Sequence, residues 1–209
     1  MKLRFTKMHG CGNDYVYVNC FEQEVQDPVA LSIVISDRHF GVGGDGLVLI
    51  CPSAVADAKM RMFNADGSEG KMCGNAIRCV GKYLYDHHMV DKTTVTVETL
   101  SGIKTLELFL KDGLVDSARV NMGTAILEPS RIPVNLPGDR VAAVPVSIGG
   151  TDYSITCVSM GNPHCVVFGG DPYRLDLEKI GPAFERAPLF PQPVSYTHLR
   201  AHETKANLV

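Results

Sequence analysis

Three consecutive residues, Cys73-Gly74-Asn75, combine a thiol, a flexible step and an amide at the mouth of a helix. The apolar positions Ala76, Ile77, Val80 and Leu84 recur at three- and four-residue steps, so the helix opens at the cysteine. Unpaired backbone N–H groups and the positive end of the helix dipole favour an anion there. A thiol so placed is favoured as thiolate and suits proton transfer or nucleophilic attack. A buried structural thiol is the alternative reading of any single cysteine. The run before it, Asn64-Ala65-Asp66-Gly67-Ser68-Glu69, ends a strand and turns on Asp66-Gly67.

The elements that must position this thiol follow from the patterning. Leu3–Met8, Tyr15–Val18, Leu47–Ile50 and Lys59–Asn64 read as strands, and Pro28–His39 as a helix with Asp27 as its N-cap. The Cys73 helix runs to about His88, followed by strands over Thr93–Thr99, Ile103–Leu110 and Leu114–Met122. The expectation is an antiparallel meander wrapped around one central, mostly apolar helix. Pro129–Asp139 reads as a connection between two domains. Beyond it come strands Val144–Ile148, Tyr153–Ser159 and Cys165–Phe168, and a helix Asp176–Arg186. Gly43-Gly44-Asp45-Gly46 lacks the Gly-Lys-Ser/Thr ending of a phosphate loop and reads as a plain turn.

The composition excludes several classes. With 209 residues, 45% hydrophobic and 21% charged, the chain has the make-up of a globular protein of one or two domains. A net charge of -3 gives no case for nucleic acid. No apolar run approaches the roughly 20 residues that span a bilayer, and the N-terminus lacks the apolar core of a signal peptide, so a cytoplasmic location is expected. Seven cysteines, an odd number, argue for reduced thiols, and none forms a Cys-x-x-Cys metal pair. Cys20, Cys51 and Cys157 are expected in the core.

Gly12-Asn13 and Gly161-Asn162 each sit between strands, a weak internal echo that implies two halves of similar build. On that spacing, a cysteine matching Cys73 in the second half falls beyond residue 209.

Together, the Asn64–Glu69 and Cys73–Cys79 stretches, Met8-His9-Gly10-Cys11-Gly12-Asn13-Asp14 and Ser159-Met160-Gly161-Asn162-Pro163-His164 resemble diaminopimelate epimerase. The resemblance covers residues 1 to about 193. It implies an α+β fold of two pseudo-symmetric domains, each a curved, mostly antiparallel sheet around a central helix. The first domain is then residues 1–122 and the second, incomplete, residues 123–193. It further implies a cofactor-independent, metal-free isomerase of lysine and cell-wall biosynthesis that interconverts LL- and meso-2,6-diaminopimelate. Two cysteines face opposite sides of the substrate α-carbon, one as thiolate and the other as thiol. Position by position, Cys73 matches a catalytic cysteine. Asn13, Asn64, Gly74, Asn75 and Asn162 match substrate-binding positions, and His164 matches a residue that tunes the thiol pair. The asparagines also read as ordinary turn formers, and His164 as a satisfied surface or core histidine. Gly46 stands where relatives carry Gln, and Ser195 where they carry Asn. The only partner implied is the small-molecule substrate, with a homodimer for full-length members.

From Val194 the sequence matches nothing in the family and resembles a translated sequencing adaptor. The expectation is a truncated member with a non-family tail, 194–209, lacking the second cysteine and inactive as it stands. The alternatives are a proline racemase or hydroxyproline epimerase, whose members carry Cys-Gly-His at the thiol, and a non-catalytic protein that binds an amino acid.

Overall fold

A computed structural model describes residues 2–161, 163–191 and 194–199, the last five through their backbone. The chain divides into two compact units, Met1–Met122 and Gly123–Val209.

The first unit begins with β1 (Thr6–Gly10) and β2 (Asn13–Asn19), followed by α1 (Pro28–Ser36), β3 (Gly46–Cys51) and β4 (Ala58–Asn64). The short β5 (Glu69–Gly70), then α2 (Gly74–Asp86), β6 (Thr94–Thr99), β7 (Gly102–Lys111) and β8 (Leu114–Val120) complete it. The sheet order is β1-β2-β3-β4-β6-β7-β8, with β5 paired to β4. It is mostly antiparallel, but not the expected meander: β2 and β3, and β4 and β6, run parallel. Parallel neighbours cannot be joined by a tight hairpin, and each pair here is bridged by a helix, α1 in the first case and α2 in the second.

Local chemistry sets the helix ends. Asp27 accepts from the Ala30 N–H at 2.9 Å, and Pro28 takes the first helical position, where its missing N–H costs nothing. The helix stops at Ser36, short of the expected His39. There the Asp37 carboxylate accepts the N–H groups of His39 and Phe40 at 2.7 and 2.8 Å and turns the chain out. In α2, Ile77, Val80 and Leu84 are fully buried against Tyr17, Val48, Val97 and Leu106. Each such side chain contributes about 1.5–3 kcal/mol relative to exposure. The helix is less apolar than expected, because Asn75, Arg78, Lys82 and Asp86 form a half-buried polar stripe. Lys82 pairs with Asp86 at 2.7 Å and donates to the Val115 carbonyl, while Asp86 accepts the Val115 N–H. Lys82 and Asp86 therefore fasten α2 to β8.

The second unit comprises β9 (Val144–Ile148), β10 (Thr151–Ser159), β11 (Pro163–Phe168), α3 (Leu177–Glu185) and β12 (Ser195–Leu199), in sheet order β12-β11-β10-β9. An antiparallel pair, β10–β11, is followed by a helix and a parallel partner, β12. The same succession occurs in β1, β2, α1 and β3 of the first unit, so the internal echo is one of topology. Among the described residues the second unit has no counterpart of α2. Pro129–Asp139 is not a connection: Ile132 and Val134 are buried in the core with Phe184 and Val141. Three prolines stiffen that segment while its apolar residues still pack inward. Ser195–Leu199, expected in a tail foreign to the fold, forms the edge strand beside β11.

Candidate active site

The thiol stands where the helix periodicity puts it. Cys73 has extended dihedrals and caps α2, its Sγ accepting the Ala76 N–H at 3.4 Å while its carbonyl accepts the Ile77 N–H at 3.0 Å. The Cys73 S–H also points at Asn13 Oδ1, 3.5 Å away. One contact therefore serves each protonation state, since a thiolate accepts from Ala76 and a thiol donates to Asn13.

Asn13 reaches the thiol through a tight turn. β1 and β2 pair as far as Gly10 opposite Asn13, leaving Cys11 (φ 53°) and Gly12 (φ 84°) as a two-residue turn with both dihedrals positive. That combination matches the right-handed twist of a hairpin. The hairpin tip lies close against α2, where a Cβ on Gly10 would come within 2.9 Å of the Asn75 carbonyl oxygen. Asn75 Oδ1 accepts from Arg78 at 2.7 Å, and the same guanidinium lies 3.5 Å from the exposed Cys11 thiol. Gly74 has room around it: a Cβ there would meet nothing nearer than Met122, at 3.8 Å.

A carboxylate absent from the sequence-based set organises the amides. Asp45 Oδ2 accepts from Asn13 Nδ2 at 2.7 Å and from the Asp14 N–H at 3.1 Å, which turns Asn13 Oδ1 towards Cys73. Its carbonyl accepts the Ala65 N–H at 3.1 Å, beside Asn64. Asn64 donates through Nδ2 to Ser68 Oγ at 2.9 Å and is in register with Gly46. Arg38 closes the group, with 2.8 Å to Asp14 and 3.0 Å to Asp45, and Lys7 lies 3.1 Å from Asp14. The loop Gly43–Gly46 is thus a turn, as expected, but one that carries the carboxylate orienting Asn13. Its signal in the sequence was an acidic residue between glycines, which turn chemistry alone also explains.

The Arg38 guanidinium holds the Asp14 carboxyl down at about 2, with Lys7 adding to the effect. Since the unfolded value is near 3.8, this pair contributes stability above that pH and loses it as pH falls towards about 2. Urea denaturation should therefore show wild type losing more stability than Asp14→Asn over that window. Equal losses in the two proteins would remove Asp14 from the acid response.

Tyr15, another residue not anticipated, is buried beside Cys73 and Asn13. Burial and the neighbouring Cys73 push its phenol up to about 12, so it stays a neutral hydroxyl next to the thiol. Gly46 meets the same ring, and the Gln expected of relatives cannot stand on this backbone: a Cβ would lie 2.1 Å from the Phe63 carbonyl oxygen and 2.8 Å from Tyr15 Cε1.

The first unit thus brings Cys73, Gly74, Asn75 and Asn13 together, with Asn64 linked through the backbone around Asp45. In the second unit His164 lies on β11, in register with Val158, and burial pushes its pKa down, favouring neutral imidazole. Asn162 lies outside the described residues. Cys79, Cys157 and Cys165 are buried, and Cys20 and Cys51, expected in the core, are half-buried. Among the described residues no group of three or more His, Cys, Asp or Glu is placed to hold a metal ion. Among them, too, no helix is long and apolar enough to cross a membrane.

A curled sheet wrapped on a capped helix recurs among solved structures. The structure is similar to a hydroxyproline epimerase from Agrobacterium vitis, with a TM-score of 0.54 at 16% identity, covering 88% of this chain and 54% of that one. At that identity the likeness concerns fold alone. The profile of the diaminopimelate epimerase family matches residues 5–128. A diaminopimelate epimerase of Acetivibrio thermocellus is 56% identical over 193 residues, covering 92% of this chain and 69% of the relative. One of Desulfovibrio desulfuricans is 57% identical over 196 residues, covering 91% and 68%. The chain belongs to the diaminopimelate epimerase family, a family of isomerases.

Proposed function

We propose that this chain carries one half of a cofactor-independent site that moves the α-proton of 2,6-diaminopimelate between the LL and meso forms. The observation that carries the reading is the Cys73 Sγ on the N-terminus of α2, with an acceptor for its proton 3.5 Å away on Asn13. The Cys73 thiolate takes the α-proton, forming an S–H bond as the C–H electron pair passes to the α-carbon and its carboxylate. The N–H groups of Gly74 and Asn75 at the helix start suit that carboxylate as its charge grows. Asn13, Asn64 and Asn162 serve the substrate's amino and carboxylate groups, and His164 tunes the thiols. Asp45 acts through Asn13 as a positioning residue, and neutral Tyr15 excludes water from the thiol.

Inversion needs a second acid on the opposite face of the α-carbon. Cys79, Cys157 and Cys165 are 7%, 1% and 0% exposed, too buried to serve. We infer that none of the other cysteines serves as that acid, so the 209-residue chain should make no meso isomer when assayed as it stands. The domain reading, residues 1–122 and 123–193, is supported by the two compact units. The seven free thiols support a reducing cytoplasmic setting. A homodimer is part of the reading for a longer protein.

Alkylation of Cys73 by iodoacetamide tests the substrate, because a bound amino acid shields the thiol. LL-diaminopimelate should slow it, and proline should not. Protection by proline alone would sink the assignment, and meso product from the 209-residue chain would sink its inactivity.

A further inference from the structure

Two pairs of thiols face one another across neighbouring strands, in opposite surroundings. Cys157 on β10 stands directly opposite Cys165 on β11, both buried in the core of the second unit. Cys20 follows the last residue of β2, and Cys51 is the last of β3. Asn19 is in register with Ile50, and the Cys20 N–H donates to the Ile50 carbonyl at 2.8 Å. In a parallel ladder that bond makes Cys20 and Cys51 the next pair. Both residues are half-buried at the rim of the core of the first unit, whereas Cys157 and Cys165 are fully enclosed.

The neighbouring charges differ as well. Lys59 is in register with Cys51, and Arg61 follows on the same face of β4. Both cations are already paired, Lys59 with Glu98 at 2.9 Å and Arg61 with Glu69 at 2.7 Å. Even so, the adjacent Cys20 thiol and the two cations push the Cys51 thiol down, while the neighbouring sulfur and burial push Cys20 up.

We propose that Cys20 and Cys51 are a redox modification site that closes to a disulfide under hydrogen peroxide, whereas the buried Cys157 and Cys165 stay reduced. Neighbouring strands about 4.8 Å apart fall within the ~4.4–6.8 Å Cα separation that a disulfide spans. The chain turns away immediately after Cys20, where the Phe21 N–H donates back to Asn19 Oδ1, so one end of the bridge is free to adjust. In the first step the Cys51 thiolate attacks a peroxide oxygen, breaking the O–O bond, forming the sulfenic acid and releasing hydroxide. In the second, the Cys20 sulfur displaces the sulfenic hydroxyl, and its proton leaves with that oxygen as water. Two thiols are oxidised by two electrons, and one peroxide is reduced to two waters. The bridge closes the loop that contains α1 and ties β2 to β3, so the oxidised chain should melt at a higher temperature.

The test oxidises the full 209-residue chain with hydrogen peroxide, blocks remaining thiols with N-ethylmaleimide and digests it with trypsin without reductant. Mass spectrometry should find peptide Met8–Arg38 joined to His39–Lys59, with Cys157 and Cys165 unmodified until unfolding. The joined peptide should persist in Cys11→Ser and vanish in Cys20→Ser. Full alkylation of Cys20 and Cys51 after oxidation would overturn the proposal. So would a crosslink that survives Cys20→Ser, or oxidation of Cys157 and Cys165 first. Because neither Cys20 nor Cys51 is among the residues of the Cys73 site, the result is independent of the reading of that site.

Discussion

A Gly46→Gln variant should lose about 3 kcal/mol or more of stability, enough to melt much of the first unit at urea concentrations that wild type withstands. The cause is a backbone contact. The added Cβ would lie 2.1 Å from the Phe63 carbonyl oxygen, so β3 or β4 must move. Neither strand moves cheaply, because Gly46 to Cys51 are paired in register with Asn64 to Lys59. Displacing that ladder also disturbs Asn64 and the Tyr15 ring at 2.8 Å. Gly74→Ala is the control: its nearest neighbour is an ordinary 3.8 Å contact with Met122, and stability should stay within ~1 kcal/mol of wild type. Urea titration followed by circular dichroism measures both. If Gly46→Gln unfolds with the wild-type midpoint, the strand contact is not what excludes a side chain there.

Cys73→Ser should separate chemistry from stability. Serine is a preferred N-cap, and its hydroxyl can accept the Ala76 N–H that the thiol now accepts at 3.4 Å. Stability should therefore stay within about 1 kcal/mol of wild type, while Cys73→Ala, which has no acceptor, should lose about that much. Proton transfer should collapse. A serine hydroxyl is a far weaker acid than a thiol, and losing a matched acid–base group costs roughly 10²–10⁴-fold. In a longer, active protein carrying these residues, α-hydrogen exchange measured by NMR in deuterium oxide should fall by at least about 10²-fold. Exchange at the wild-type rate in Cys73→Ser would remove Cys73 from the reaction.

Much of this site was legible because its signals are local. A helix beginning at Cys73 follows from the spacing of Ala76, Ile77, Val80 and Leu84, and its capping bond spans only three residues. Asp27 caps α1 over the same short span. The polar stripe of α2 was hidden because Lys82 and Asp86 find their partner at Val115, far along the chain. Pro129–Asp139 misled for a related reason: proline marks a turn in the chain wherever it occurs, while burial depends on what the neighbouring apolar residues meet.

By itself, the sequence determined most of the strands, the starts of the helices, the Asp27 cap and the thiol at the helix mouth, since these depend on periodicity and on bonds between near neighbours. Only the tertiary structure decided that Asp45 turns Asn13 towards Cys73, that Tyr15 lies beside the thiol and that Cys20 pairs with Cys51 across neighbouring strands. Those contacts join residues about thirty to sixty positions apart. They depend on strand order and register, which two helix crossovers and the packing around α2 impose, and no local pattern encodes them.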